Sequence, residues 1–223
     1  MSAPPSTPDR PAAACGIGGS VVLLVGTRLH PMRADPNDPV AAFTEYAADR
    51  LWIASHLIQL AGVALIVAAL LLLSRRLDAT KAGAWSRFAA AGAIASLGVV
   101  TALQAVDGVA LKAMVDTWAA APAGQKDAAF YAALAVRRIE IGLASTASLL
   151  FGLTVIAYGV ALLRARVYPV WIGVFALLPG IGSAIAGILI AYAGFSPLAM
   201  AVSLPASALL LLWMLGIGLL MWR

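Results

Sequence analysis

The sequence predicts an all-α, polytopic integral membrane protein, a six-transmembrane-helix bundle with helical extensions on the outer side. Of its 223 residues, 62% are hydrophobic and only 11% charged, whereas ordinary soluble domains are about half apolar and a quarter charged. The mean hydropathy is +0.94. The apolar residues also gather into six runs of about 20, the length that crosses a hydrocarbon core of roughly 30 Å. These runs leave short loops, one membrane domain over 12–223, and no second globular unit.

Residues 1–11 are rich in proline and serine and read as a disordered tail. The first span, about 12–29, is the weakest, because Arg28 interrupts it late. Ala12, Gly16 and Ser20 recur every four residues along it, a small-residue stripe suited to close helix packing in lipid. The single cysteine, Cys15, excludes an internal disulfide or a thiolate metal site. No apolar run precedes it, so neither a lipoprotein nor a cleaved signal is expected.

The second span covers about 52–73. The helix entering it is expected to begin near Pro39 with Asp38 as its cap and to run on unbroken. Glu45, Asp49 and His56, spaced by four and seven, then share one face, with Gln59 one turn deeper. His56 lies only about 6 Å below the interface that Trp52 marks. It needs partners there, and Gln59, Gln104 or Asp107 can supply them. It is either a histidine satisfied by a neighbouring helix or a residue that handles a ligand or proton.

The third span, about 85–106, keeps its helical pattern beyond the membrane. Gln104 and Asp107 form a polar strip toward the bundle, unless Gly108 ends the helix and leaves Asp107 exposed. Lys112 and Asp116 read as a solvated i, i+4 pair. The fourth span, about 139–163, enters with Arg137, Arg138 and Glu140, which are headgroup anchors or members of an outer polar cluster. If this helix reaches back to Lys126, three helices project into an outer cap. Ser145, Thr146 and Ser148 suit helix–helix hydrogen bonds. The fifth and sixth spans, about 170–192 and 198–222, carry Pro179 and Pro205 as expected kinks. Trp52, Trp85, Trp171 and Trp222 fall at span ends, where indole prefers to sit.

Lysine and arginine set the direction. With the N-terminus inside, eight basic and two acidic residues are cytoplasmic, and seven basic and eight acidic residues are outside. The inner charges crowd into short loops, so N and C termini are both expected in the cytoplasm. Twelve arginines against three lysines fit a GC-rich bacterial genome, and hence a bacterial cytoplasmic (inner) membrane. The pI near 9.8 comes from charge dispersed over loops, so nucleic acid is not an expected partner.

The candidate ligand-binding residues are Glu45, Asp49, His56, Gln59, Gln104, Asp107, Arg137, Arg138 and Glu140. No catalytic group, metal set or cofactor is assigned. Ser55 and His56 are helix neighbours that point about 100° apart, and His30 and His56 are expected in different environments. The inner two-thirds of spans two to six carry no charge, which disfavours an ion-coupled carrier. The expectation is a binding or accessory protein with an outer-leaflet polar pocket. Its expected partners are the lipid bilayer, a lipid or small hydrophobic ligand, and a second copy or a partner membrane subunit. A facilitator or channel, and a membrane enzyme at the outer lipid surface, stay open as alternatives.

Overall fold

The computed structural model describes residues 9–223, and no strand occurs among them. Helix α1 (Arg10–Leu29) starts two residues earlier than expected, because the Asp9 carboxylate accepts from Ala12 N at 3.1 Å and Pro11 fits a first turn. Arg10 and Pro11 thus belong to helix, with Asp9 as its cap, and the rest of the expected tail lies outside the described residues. Helices α2 (Pro39–Ala48) and α3 (Trp52–Asp78) follow. A continuous helical stretch, Gly83–Ala120, contains α4 (Gly83–Gln104), a π-helical segment Ala105–Leu111, and α5 (Lys112–Ala120). Then come α6 (Lys126–Ala165), α7 (Val170–Ala193) and α8 (Pro197–Trp222).

Six of these helical stretches are long and apolar enough to cross a membrane, and together they form a six-helix membrane bundle. Each packs along its neighbour in sequence, α1 on α3, α3 on α4, α4 on α6, α6 on α7 and α7 on α8, and α8 returns to α1 to close a ring. Asp9 N donates to Met221 O at 2.8 Å where the ring closes, so the described termini share one end of the bundle.

With no water available in lipid, buried polar groups must find partners inside the bundle. Tyr158 donates to Leu70 O at 2.9 Å and lies 2.8 Å from Ser74 Oγ, while Ser86 Oγ donates to Ser74 O at 2.8 Å. Ser145 and Ser148 bond across to α7, at Gly187 O and Ser183 O. Thr146 turns back to Gly142 O of its own helix. Ala12, Gly16 and Ser20 are all buried, but the closest backbone approach of α1 and α3 is elsewhere. A β-carbon on Gly62 would sit 2.5 Å from Leu23 N, against 3.5 Å from Ala69 Cβ for one on Gly16. Pro179 and Pro205 lie inside α7 and α8, and neither helix is broken.

The Gly83–Ala120 stretch has 38 residues and α6 has 40, so each is about 60 Å long, roughly twice the hydrocarbon thickness. Their overhangs stand together with α2 as a cap at the end opposite the termini. The cap has its own apolar core of Phe43, Trp52, Leu111, Val115 and Ala133, with Phe43 against Trp118 and Phe130 at ring separations of 5.9 and 5.8 Å. Lys112 does more than pair with Asp116 at 2.8 Å. It also donates to Tyr46 O and Ala47 O at 2.9 and 3.0 Å, holding the C-terminus of α2 on α5.

The helix from Pro39 does not run on into the second span. Asp38 caps α2 as expected, accepting from Val40 N and Ala41 N. At Asp49 the backbone turns extended and the carboxylate takes Leu51 N at 2.6 Å. Aspartate competes with the helix in this way, so the shared helical face of Glu45, Asp49 and His56 does not exist.

Candidate functional site

The site grows from the first turn of α3. Trp52 and His56 are both buried, with rings 4.7 Å apart. His56 Nδ1 is 2.7 Å from Trp52 O. A carbonyl only accepts, so Nδ1 carries the proton and Nε2 is left as the ring's second site. That Nε2 lies 3.1 Å from Asp107 Oδ2. Trp52 also donates from its indole to Asp107 O at 3.0 Å, which fixes the turn that presents the carboxylate.

Asp107 and Gly108 lie within the π-helical segment, where the helix is wider than normal and its side chains are redirected. Gly108 does not end the helix. It lets α3 approach, since a β-carbon there would be 2.6 Å from His56 Cβ. Asp107 Oδ1 is buried and has no hydrogen-bond partner.

His30, the residue directly after α1, completes this corner. Its ring is 4.9 Å from that of His56 and 4.8 Å from that of Trp52, and its Nδ1 is 2.7 Å from Pro31 O. Burial, and then the adjacent His56, hold its imidazole below the ordinary value of 6.5. One donor atom each from His30, His56 and Asp107 lies within 4.8 Å of the others. This corrects the expectation that the two histidines are in different environments. A signal for it was present: the end of span one and the start of span two lie at the same membrane surface in any antiparallel pair.

The loop after His30 is held from two sides. Glu45 accepts from Arg33 N and Ala34 N at 3.1 and 2.9 Å, and Asn37 Nδ2 donates to Phe195 O at 2.8 Å. Across from the loop, Arg137 and Glu140 form a buried ion pair at 2.6 Å. The Arg137 guanidinium lies over the rings of Tyr46 and Phe195, 5.6 and 5.1 Å from their centres. Burial pushes the Tyr46 phenol up to about 12.

These walls enclose a cavity of about 430 Å³. His30, Glu45, Asp107, Arg137 and Glu140 line it together with the apolar Met32, Phe195 and Met200. Four of the nine candidate residues, Glu45, Asp107, Arg137 and Glu140, therefore reach one cavity, and His56 stands behind Asp107 as its partner. The other four do not line it. Asp49 is spent on its turn. Gln59 and Gln104 bond to each other at 3.4 Å, and Gln59 also to Gly26 O. Arg138 is exposed and borders a separate cleft with Tyr192. Arg137 is not the snorkelling anchor that its position suggested, because it points inward to Glu140. Sequence reasoning missed His30, and with it Phe195 and Met200, which come from the α7–α8 turn and from α8.

No curated protein and no solved structure matches the chain. One family model, described as a domain of unknown function (DUF4386), matches residues 12–218, and since that is nearly the whole chain, the protein belongs to the DUF4386 family.

Proposed function

We propose that this protein is a membrane-embedded binding protein that holds a small amphipathic molecule, uncharged or cationic at its polar end, in the cap-side cavity. The observation that carries this reading is the cavity's division of labour. Its volume falls in the range of about 300–1,000 Å³ usual for small-molecule sites, and mostly apolar walls with a few convergent polar groups are the usual composition of such sites. Its polar end is acidic: Asp35, Glu45, Asp107 and Glu140 line it against one arginine. Arg137 is already neutralised by Glu140, so this side chain offers no free charge to an anionic headgroup. The unpartnered Asp107 Oδ1 favours a ligand that donates a hydrogen bond. Met32, Phe195 and Met200 would take its apolar part.

Charge counts support placing this cavity at the outer face with both termini in the cytoplasm, and the excess of arginine over lysine supports a bacterial inner membrane. Met200→Trp, which fills the cavity beside Phe195, provides the test. Protein purified in mild detergent is extracted with organic solvent and the extract compared by mass spectrometry. A species retained by the parent and lost from a Met200→Trp variant of unchanged melting temperature is the expected result. Equal retention by both, or no retained species in the parent, would overturn the reading.

A further inference from the structure

We infer that His30, His56 and Asp107 form a binding site for one divalent first-row transition-metal ion, with its open coordination positions facing the cavity. The donor set is two imidazoles and a carboxylate, a combination suited to zinc and iron(II) rather than to magnesium or calcium, which prefer all-oxygen shells. The three donor atoms lie within 4.8 Å of one another. Donors around a zinc ion at 2.0–2.2 Å are roughly 3.4 Å apart, so each side chain need move by less than about 1 Å to close on it.

The hydrogen bonds behind these donors are those a metal site requires. Metal-binding histidines almost always donate their second ring N–H to a carbonyl or carboxylate, which fixes the tautomer. Here both do so: His56 Nδ1 to Trp52 O and His30 Nδ1 to Pro31 O, each at 2.7 Å. With both Nδ1 atoms committed as donors, both Nε2 atoms of neutral rings carry lone pairs. His56 Nε2 then faces Asp107 Oδ2 at 3.1 Å, one lone pair toward another, and a cation between them resolves that opposition. Asp107 keeps a second buried oxygen, Oδ1, with no partner. The backbone of Asp107 is fixed by the Trp52 indole, and it sits in a π-helical segment, a feature frequent at functional sites.

The alternative way to satisfy the same atoms is a proton on His56 Nε2, giving an ion pair with Asp107 and no metal. The two arrangements are distinguished by Co²⁺, whose absorption reports nitrogen and oxygen ligation. Protein without a histidine tag, stripped with EDTA in detergent, is titrated with Co²⁺ and back-titrated with Zn²⁺. The parent should bind one Co²⁺ per chain, with visible bands that Zn²⁺ abolishes and that excess Mg²⁺ leaves intact. His30→Gln and Asp107→Asn should each weaken binding by about 100-fold or more, beyond the effect of losing a supporting residue.

In the Asp107→Asn variant the side-chain amide can still donate to His56 Nε2, so the fold survives that change while the anionic ligand is lost. His56→Ala carries no weight in the test, since it opens a hole beneath Trp52. Absence of stoichiometric Co²⁺ binding to the parent would overturn the inference in favour of the protonated pair. Binding that His30→Gln and Asp107→Asn leave unchanged would overturn it equally. The metal site shares Asp107 with the polar end of the cavity, but its three donors do not include Met200. Met200→Trp, which blocks the cavity, should retain the Co²⁺ signal, so failure of one reading is separable from failure of the other.

Discussion

Gly108 shows how much a single missing methyl group controls here. The Trp52–His56–Asp107 corner needs α3 and the π-helical segment in contact, and a β-carbon at 108 would meet His56 Cβ at 2.6 Å. Alanine is the better helix former by about 1 kcal/mol, yet neither backbone can yield locally. Overpacking of this kind typically costs about 1–3 kcal/mol, so Gly108→Ala should lower stability and separate His56 from Asp107. Thermal unfolding in detergent checks the first effect, and stability equal to or above the parent would refute it. At this scale the sequence was half legible. His56 and Asp107 are recognisable because ionisable residues near a membrane interface need partners. For His30 the shared membrane surface of spans one and two was a signal for the right neighbourhood only, because the approach of its ring to that of His56 depends on where α1 ends and on how the next loop, held by Glu45, folds back.

Among the elements, glycine position rather than glycine content decides the α1–α3 interface. The stripe of Ala12, Gly16 and Ser20 marks the buried face correctly, since period and residue size are sequence properties. It does not mark where the backbones touch, which depends on the crossing point of two helices. The tightest place is Gly62, where a β-carbon would lie 2.5 Å from Leu23 N, a backbone atom that cannot rotate away, with Gly19 and Gly26 next at 2.8 Å. At Gly16 the nearest atom is a methyl at 3.5 Å, ordinary contact. Gly62→Ala should therefore destabilise the bundle by about 1–3 kcal/mol, and Gly16→Ala should be neutral or slightly stabilising because of its better helix propensity. Reversible unfolding of both variants in mixed micelles checks the contrast, and equal losses would show that the crossing point is elsewhere. The α2–α3 break illustrates the same limit: Asp49 reads equally well as a helix-face carboxylate and as a turn former, and only the Leu51 N–H that it captures decides between them.

For the whole molecule, six apolar runs predicted six membrane helices because length and hydropathy are set by the bilayer and need no tertiary information. The order of packing was not legible, yet the ring is simple, with each span beside its sequence neighbours and α8 closing on α1. An even number of spans and the Asp9–Met221 contact put the described termini at one end, while the cap and its cavity stand at the other. The end with the termini holds eight basic residues against two acidic ones, and the cap end seven against eight. The positive-inside rule weighs lysine and arginine in short loops near span ends. The loops 79–82 and 166–169, flanked by Arg75, Arg76, Arg87 and Arg164, are of that kind. Three of the seven cap-end cations are tied to the protein itself: Lys112 to α2, Lys126 to Trp118 O at 2.6 Å, and Arg137 to Glu140. A reporter fused after Arg223 should thus be cytoplasmic. A second reporter is best inserted at Gly124, in the turn between α5 and α6, where a side chain would meet nothing within 4 Å, and it should be external. Activity of paired reporters that work only in one compartment checks this. Both on the same side would contradict the six-span ring, and both reversed would put the cavity on the cytoplasmic face, where it would meet the cell's own metabolites and metal pool rather than the exterior.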